Sequence, residues 1–344
     1  MNPRPVSNPP NPWDATTVDW LGEPPPALPR VYADATREIL SRNDSPDIPF
    51  TYSVNPYRGC AHACAYCYAR PTHEYLGFGA GTDFDTRIVA KLRAPELLRR
   101  AFERTSWTGE PIAFSGNTDA WQPLEASLRL TRGCLEVCAE YRNPVMVTTK
   151  APLVERDVDL LAALASVGAA SVSITLPFLD AERARALEPW AASPERRLET
   201  IRRLAAAGIP VGVSLAPVIP GLNDEEIPRV LAAAREAGAT RAHWLLLRLP
   251  GPVKTVFEER LRAALPERAE RVLHRIRETH EGKLYDARFG VRGRGEGEYA
   301  RTIAALFDTA ASRLGLAGGK TEGETRGESP FRRPRPQLDL FATG

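Results

Sequence analysis

Apolar residues recur along the chain at two spacings, and the two spacings alternate. Short apolar runs typical of strands are followed by segments with apolar residues three and four apart, which are typical of helices. The predicted strands span residues 50–54, 111–115, 145–149, 171–176, 209–216 and 242–249. The predicted helices among them span 94–105, 124–142, 154–167, 195–207 and 224–237. Such alternation builds a parallel sheet with right-handed crossovers, so the pattern predicts an α/β fold, a partial (β/α)6 TIM-like barrel.

The segments outside this alternation complete the predicted organisation. Three further helical patterns, 254–265, 267–280 and 298–314, predict a C-terminal helical extension, and 33–41 is predicted as a short helix. Residues 1–30 are Pro-rich without an apolar period and predict an irregular arm, whereas the polar residues 317–344 predict a disordered tail. Residues 31–316 are therefore expected to form the folded domain. The glycine- and arginine-rich residues 288–297 imitate a nucleotide-binding fingerprint, but no strand precedes them in a βαβ unit.

Composition narrows the class of protein more than charge does. A hydrophobic content of 43% is typical of a globular protein, and the net charge of +2 implies no partner by itself. No apolar run reaches the ~18 residues of a membrane span, so we expect no membrane partner. The start of the chain lacks an apolar signal segment, and the five cysteines are an odd, partly clustered set. We therefore expect a reducing, cytoplasmic location.

Three of the five cysteines lie within eight residues and form a C-x3-C-x2-C pattern: Cys60, Cys64 and Cys67. Three thiolates on one loop suit metals that prefer soft sulfur ligands, chiefly zinc or an iron–sulfur cluster. Structural zinc takes four protein ligands, so a zinc site here would need a further ligand such as His62 or His73. A cubane [4Fe–4S] cluster held by three cysteines instead keeps one iron open for another ligand.

The aromatic residue Tyr66 before the last cysteine completes a pattern that resembles the cluster loop of the radical S-adenosylmethionine (radical-SAM) enzymes. The surrounding residues, NPYRGCAHACAYCYARPTHEYLG, resemble the spore photoproduct lyase-like branch of that family, and the resemblance runs from about Val31 to about Leu316. It implies a [4Fe–4S] cluster, S-adenosylmethionine bound at the open iron, and an external electron donor. The implied chemistry is the lyase-like release of a 5′-deoxyadenosyl radical that abstracts hydrogen, and the implied process is DNA repair.

The resemblance also implies which residues place the cofactors. Tyr66 would shield the cluster, Lys150 would pair with the methionyl carboxylate, and Ser173 would contact the cofactor. The turn after the second strand lies where such enzymes contact the methionyl amino group, and it comprises Ser115, Gly116, Asn117, Thr118 and Asp119. A polar turn, a solvated lysine and a serine inside a strand are the structural alternatives for these positions. No residue is assigned a catalytic role.

The remaining two cysteines, Cys134 and Cys138, are four residues apart and share one helix face. They could bind a second metal, donate hydrogen or be small buried residues, and burial is the common fate of a free cysteine. Spore photoproduct lyase quenches its product radical with a cysteine nearer its cluster loop, and this chain has no matching cysteine. We therefore expect radical chemistry here without assuming photoproduct repair.

The C-terminal residues Gln337, Leu338, Asp339, Leu340 and Phe341 resemble the pentapeptide that binds the bacterial sliding clamp. Leu340 and Phe341 would fill an apolar pocket, and Gln337 would fix the end of the peptide by hydrogen bonds. The alternatives are chance or a tail that packs back on the barrel.

Taken together, the sequence predicts a radical-SAM enzyme that acts on DNA or another nucleic acid. One alternative is a radical-SAM enzyme for a small molecule or peptide. Another is a non-catalytic zinc-binding adaptor of the sliding clamp.

Overall fold

The computed structural model describes residues 29–316 and 328–334, and these residues are organised around a seven-stranded sheet. The described strands, in chain order, are β1 Arg30–Ala33, β2 Leu40–Arg42, β3 Tyr52–Val54, β4 Tyr57–Arg58, β5 Arg87–Ala90, β6 Ile112–Phe114, β7 Val145–Thr149, β8 Ala170–Thr175, β9 Val211–Val218 and β10 Arg241–Leu246. The main sheet has the order β10-β9-β8-β7-β6-β3-β2, and β1, β5 and β4 form a smaller second sheet.

Six strands of the main sheet, from β3 to β10, are parallel to their neighbours and follow chain order. They correspond one to one with the six strands predicted from sequence, so the predicted α/β fold and its partial barrel are confirmed. The apolar runs predicted these strands well because both faces of a parallel sheet are covered. In β9, for example, seven of the eight residues are buried.

Helices follow the strands and cover the outside of the sheet. The described helices are α1 Thr82–Thr86, α2 Ala94–Glu103, α3 Glu125–Leu128, α4 Leu130–Tyr141, α5 Val158–Ala165, α6 Ala181–Leu187, α7 Pro194–Ala206, α8 Ile227–Glu236, α9 Val253–Ala264, α10 Pro266–Glu278 and α11 Gly297–Arg313. Short 3-10 segments span Arg70–Leu76, Pro152–Asp157 and Asp224–Glu226. The helical extension predicted after the barrel corresponds to α9, α10 and α11.

Two of the predicted helices are wrong. Residues 33–41 contain the end of β1 and the start of β2, because each of these segments pairs with a strand distant in sequence, β5 and β3 respectively. A nine-residue helix would have little stability of its own to oppose that pairing. The helix predicted at 124–142 is two helices, divided at Arg129, whose φ is 54°.

The division between α3 and α4 depends on Glu125, whose side chain is fully buried. Its carboxylate accepts hydrogen bonds from the backbone N–H groups of Thr131 (3.0 Å) and Arg132 (3.2 Å), which are otherwise unpaired at the start of α4. The same carboxylate accepts from the Tyr57 hydroxyl and from Arg156 Nη2 (2.7 Å). Glu125 therefore joins α3 and the start of α4 to β4, the strand that leads into the cysteine loop.

The glycine- and arginine-rich loop at 288–297 connects the two ends of the open sheet. At one end Leu246 of β10 donates its N–H to Gly293 O (2.9 Å). At the other end Asp47, between β2 and β3, accepts from Gly290 N (2.8 Å) and Arg292 Nε (2.6 Å). A Cβ on Gly295 would lie 2.7 Å from a Leu246 methyl group and 2.9 Å from a carbonyl oxygen. Gly295, one of the glycines that imitate a nucleotide fingerprint, thus serves close packing against β10.

Residues 328–334 pack on the barrel, where the sequence predicted a disordered tail. Phe331 lies against Phe102 and Tyr141, with ring centroids 5.8 and 6.1 Å away. Arg333 donates to the carbonyl oxygens of Phe102 (3.0 Å) and Trp107 (2.9 Å) beyond the end of α2. These aromatic partners are distant in sequence, so composition alone could not indicate the packing. Residues 1–28, 317–327 and 335–344, which include the rest of the predicted arm and tail, lie outside the described residues.

A search of the described helices finds none with the length and apolar character needed to cross a bilayer.

We predict that Glu125→Ala lowers the free energy of unfolding by about 3 kcal/mol, because it leaves the buried Tyr57 hydroxyl and the buried backbone N–H of Thr131 without their acceptor. Urea unfolding followed by circular dichroism measures the change. Glu136→Ala, on α4, is the control, because its side chain is 55% exposed and forms a surface ion pair with Arg132. We expect the control to change stability by less than about 0.5 kcal/mol. Equal effects of the two variants would contradict the role given to Glu125.

Candidate functional site

The cysteine loop, residues 59–69, follows β3 and the two-residue strand β4 and lies at the edge of the sheet where the parallel strands end. The predicted turn after β6 and Lys150 after β7 lie at the same edge. In barrels of this kind the carboxyl ends of the strands carry the functional groups. The strand order β3-β6-β7 thus brings together three segments that are far apart in sequence.

Arg70 holds the middle of the cysteine loop in place through hydrogen bonds from its side chain. Its side chain is fully buried, and Nε and Nη2 donate to Cys64 O at 3.1 and 2.8 Å. Its remaining donors reach Ala80 O (3.0 Å), Gly81 O (2.9 Å) and Asp85 Oδ1 (2.9 Å). A planar guanidinium with five fixed donors is suited to hold a loop in one conformation.

Gln122 and Gly59 fix the start of the loop. The Gln122 side chain accepts from Ala61 N (3.0 Å) and donates to Gly59 O (3.0 Å), so one buried amide holds both sides of Cys60. Gly59 has a φ of 80°, and a Cβ there would lie 2.8 Å from the His73 ring and 2.9 Å from Phe84 O. Only glycine accommodates this conformation and this close approach.

The three loop thiols are chemically suited to an iron–sulfur cluster. Cys60 and Cys64 are buried and Cys67 is half-buried, so the donor set is three soft sulfurs in an apolar setting. Burial raises the pKa of all three thiols, that of Cys64 to about 12 despite the nearby charge of Lys150. A bound metal centre would offset that cost, because it supplies positive charge to the thiolates. The donor chemistry and burial therefore fit the cluster, and the ligand assignment remains a prediction.

The two histidines that could complete a zinc site have other partners. His62 Nδ1 lies 3.5 Å from Asp119 Oδ2, and His73 Nε2 lies 2.8 Å from Arg87 O. Burial lowers the pKa of both histidines, which favours their neutral forms. The arrangement thus offers no specific support for the zinc alternative.

The predicted turn after β6 is braced against the cysteine loop. Ser115 has a φ of 70°, and its hydroxyl accepts from Ala120 N (2.9 Å). Gly116 O accepts from the Tyr68 hydroxyl (2.7 Å), and Thr118 Oγ1 donates to Tyr57 O (2.9 Å). A non-glycine residue at positive φ is uncommon and often marks a functional segment.

Two further residues of the turn also make bracing contacts. Asn117 donates its N–H to Asn55 Oδ1 (2.8 Å), which lies just before the loop. Asp119 accepts from Thr149 Oγ1 (2.7 Å) and from the backbone N–H of Lys150 (2.8 Å). The contacts of Asp119 thus connect the ends of β6 and β7 to His62 of the loop.

Lys150 and Tyr66, both predicted from sequence, lie next to each other. The Lys150 ammonium lies 5.6 Å from the centroid of the Tyr66 ring and 4.0 Å from Glu188 Oε1. The Tyr66 hydroxyl donates to the same carboxylate, which also accepts from Arg197. The site thus contains a buried cluster of charges around Glu188 that the sequence analysis did not predict.

Glu188 and the cations beside it stabilise one another's charged forms. Burial alone would raise the pKa of Glu188, but Arg197 and Lys150 outweigh it and hold that pKa below its usual value. Burial likewise opposes the charge on Arg197, yet the pairing with Glu188 raises its pKa. Burial, followed by the charge of Glu188, raises the pKa of Tyr66. Glu188 is therefore a carboxylate and Tyr66 a neutral hydrogen-bond donor.

The remaining predicted positions lie deeper in the fold. Ser173 is 8% exposed within β8, where its register partners are Thr148 of β7 and Gly212 of β9. Cys134 and Cys138 are fully buried on α4 in the main apolar core, and burial raises the pKa of both thiols. The interpretation of these two as small core residues therefore accounts for their positions.

Three residues important to the geometry were not predicted: Gln122, Glu188 and Arg197. Glu188 is 122 positions from Tyr66 in sequence, and Arg197 lies on α7, behind the sheet edge. A glutamate and an arginine near helix ends usually indicate solvent-exposed positions. Only the folded chain shows that they are buried together.

Comparison with known proteins gives relatives in sequence and more distant structural neighbours. The uncharacterized protein Rv2578c of Mycobacterium tuberculosis is 40% identical over 226 residues, which are 65% of this chain and 66% of that protein. The uncharacterized protein MJ0683 of Methanocaldococcus jannaschii is 30% identical over 51% of this chain and 63% of its own length. The chain thus matches slightly under two thirds of the length of these curated relatives.

The fold is similar to that of spore photoproduct lyase. A structure of that enzyme complexed with dinucleoside spore photoproduct covers 83% of this chain and 79% of its own, with 16% identity and a TM-score of 0.59. A mutant of that lyase with bound AdoMet and the same dinucleoside covers 83% and 78%, with 17% identity and a TM-score of 0.59. At this level of identity the likeness concerns the fold.

The family model of the radical SAM superfamily matches residues 54–234. This range is more than half of the chain and contains the cysteine loop, the turn after β6, Lys150, Ser173 and Glu188. The chain therefore belongs to the radical SAM superfamily, a family of enzymes whose cofactors are S-adenosylmethionine and a [4Fe–4S] cluster.

Proposed function

We propose that this protein holds a [4Fe–4S] cluster with Cys60, Cys64 and Cys67 and uses it to cleave S-adenosylmethionine reductively. The observation that carries the proposal is the position of two buried thiols and one half-buried thiol on one braced loop at the carboxyl ends of the parallel strands. The chemistry that the cofactors supply is one-electron cleavage of a sulfonium C–S bond to methionine and a 5′-deoxyadenosyl radical, with the electron from an external reductant.

The chain's own residues bind and orient these cofactors. Lys150 would hold the methionyl carboxylate, because its ammonium is placed at the sheet edge by Tyr66 and Glu188. Tyr66 would shield the cluster with its ring, since it directly precedes Cys67 and is only 6% exposed. The turn from Ser115 to Asp119 would receive the methionyl amino group. Its bracing by Tyr68 and Thr149 keeps it fixed during binding.

We propose a nucleic acid, in a repair reaction on DNA, as the substrate. Two features support this class: the resemblance to spore photoproduct lyase, whose structures contain a dinucleoside, and the clamp-like peptide at the C-terminus. Since Cys134 and Cys138 are buried in the core, the reaction should not use either thiol to donate hydrogen to a substrate at the sheet edge. A small molecule or peptide substrate is the alternative.

The C-terminal pentapeptide is proposed to bind the sliding clamp. Arg333 is fixed at the end of α2, near the amino ends of β6 and β7, so Gln337 begins four residues beyond a fixed point. Four residues reach at most ~14 Å, far less than the twenty residues from 317 to 336 would reach if the whole predicted tail were disordered. A clamp bound by Gln337, Leu340 and Phe341 would therefore lie by the end of the barrel opposite the cysteine loop and leave that loop accessible.

We predict that protein purified without oxygen is brown, contains about four irons and four sulfides per chain, and bleaches with dithionite. With S-adenosylmethionine and reductant it should slowly release 5′-deoxyadenosine. Cys64→Ala should abolish both properties, because a loop with two thiols cannot hold the cluster. Iron and sulfide analysis and chromatography of deoxyadenosine measure the outcomes.

Cys138→Ala is the matched control, since that thiol is buried away from the loop, and it should keep both properties. Colourless protein with one zinc per chain would contradict the proposal and support the zinc-binding adaptor.

The nucleic-acid substrate is tested by adding single-stranded DNA and duplex DNA separately to the same reaction. Stimulation of deoxyadenosine release by DNA supports a nucleic-acid substrate, whereas release that DNA does not change would contradict that part of the proposal.

We further predict that full-length protein, and a peptide of residues 330–344, bind purified sliding clamp with roughly micromolar affinity, typical of a short peptide contact. Leu340→Ala combined with Phe341→Ala should remove most of this binding, because it removes both apolar anchors. Fluorescence anisotropy measures the peptide, and iron content of the full-length variant checks that the barrel is unaffected. Equal binding by wild-type and double-alanine peptides would exclude the clamp as a partner of this motif.

A further inference from the structure

Glu188 connects two residues that belong to different segments of the site. It follows α6, its side chain is 1% exposed, and its carboxylate accepts from the Tyr66 hydroxyl of the cysteine loop. The same carboxylate lies 4.0 Å from Lys150 Nζ at the end of β7. Tyr66 and Lys150 also contact each other, with the ammonium 5.6 Å from the ring centroid. One buried carboxylate thus touches both partners of a cation–π pair.

Arg197 fixes Glu188 independently of Lys150. The Arg197 side chain is 1% exposed and pairs with Glu188. Its other donors reach the carbonyl oxygens of Ala192 (2.9 Å) and Thr175 (3.1 Å), the latter at the end of β8. The carboxylate is therefore held by the sheet itself, and its charge is largely neutralised before Lys150 is considered.

The backbone near Glu188 also follows the cysteine loop. Ala65 N donates to Leu187 O (2.9 Å), and Trp190 N donates to His62 O (3.4 Å). The segment 187–190 thus lies against the loop on both sides of Glu188. Any displacement of the 187–190 backbone relative to the cysteine loop would require these contacts to break.

We propose that Glu188 is a positioning residue that orients Lys150 and Tyr66 for S-adenosylmethionine. This inference rests on the proposed function of the site. A lysine side chain is flexible, and binding an anion with it normally costs rotamer entropy. Glu188 and the Tyr66 ring restrict Lys150 before the cofactor arrives, so less entropy is lost on binding. Because Arg197 neutralises Glu188 and the 4.0 Å separation exceeds a hydrogen bond, the ammonium keeps its donors for the cofactor.

The test is a double-mutant cycle on the full-length, cluster-loaded protein. Replacing Glu188 alone would leave Arg197 buried and unpaired, so the test variant combines Glu188→Gln with Arg197→Gln. The dissociation constant of S-adenosylmethionine is measured by calorimetry without reductant, so no turnover is needed. We expect Lys150→Ala to raise it about tenfold or more, the effect of losing a hydrogen bond to a charged group.

The Glu188/Arg197 variant should raise the dissociation constant about threefold to tenfold. Addition of Lys150→Ala to that variant should then raise it no further than Lys150→Ala alone, since Glu188 acts through Lys150. The matched control replaces the neighbouring pair, Glu155→Gln with Arg196→Gln. That pair joins α7 to the 3-10 segment at Pro152–Asp157 on the outside of the barrel, with a 2.5 Å contact. The control should leave the dissociation constant unchanged.

A Glu188/Arg197 variant with wild-type iron content and a wild-type dissociation constant would overturn the proposal. Effects of that variant that simply add to those of Lys150→Ala would overturn it as well.

Should the Glu188/Arg197 variant not fold, Tyr66→Phe provides the second test, because it keeps the buried ion pair and removes only the hydroxyl that donates to Glu188. We expect an increase of about threefold, and no change would overturn the proposal. If wild-type protein contains no cluster or does not bind S-adenosylmethionine, the proposed function itself fails. That result is distinct from a failure of the role given to Glu188, in which wild-type protein binds the cofactor and the variants bind it equally well.

Discussion

The hydrogen bonds of Arg70 hold together the part of the molecule on which its function depends. The cysteine loop contains no helix or strand between β4 and the 3-10 segment that begins at Arg70, so side-chain hydrogen bonds help to fix its conformation. Arg70 is fully buried and directs its donors to Cys64 O, to the carbonyl oxygens of Ala80 and Gly81, and to Asp85. Removal of this guanidinium would leave several buried carbonyl groups unpaired, so the loop conformation and the protein's stability depend on the same side chain.

The site extends this principle to three more polar residues, each of which joins elements that are distant in sequence. Gln122 connects the β6 segment to Cys60, Asp119 connects it to β7 and the loop, and Glu188 connects α6 to Tyr66 and Lys150. Buried polar groups are costly unless they are paired, and the side chains of Gln122, Asp119 and Glu188 each have more than one partner. The result is a rigid edge of the sheet, which suits a site that must hold reactive cofactors in one arrangement.

The sequence predicted what local patterns determine. Six strands were predicted because buried parallel strands are continuous apolar runs, and the cysteine loop was singled out because three cysteines share one short segment. The helix at 33–41 was wrong because pairing of β1 with β5 and of β2 with β3 outweighs a weak local preference. Glu188, Arg197 and the packing of Phe331 could not be predicted, since their partners come from segments far away in the chain. Long-range polar contacts have no periodicity that a single sequence reveals.

We propose that the loop of Cys60, Cys64 and Cys67 leaves one iron of a cluster open for S-adenosylmethionine. Mössbauer spectroscopy of full-length protein enriched in iron-57 tests this most directly, before and after the cofactor is added. We expect a four-iron spectrum in which the signal of one iron changes when S-adenosylmethionine is added, while the signals of the other three irons stay the same. A spectrum without a [4Fe–4S] cluster, or one in which no iron responds to a saturating amount of cofactor, would contradict it.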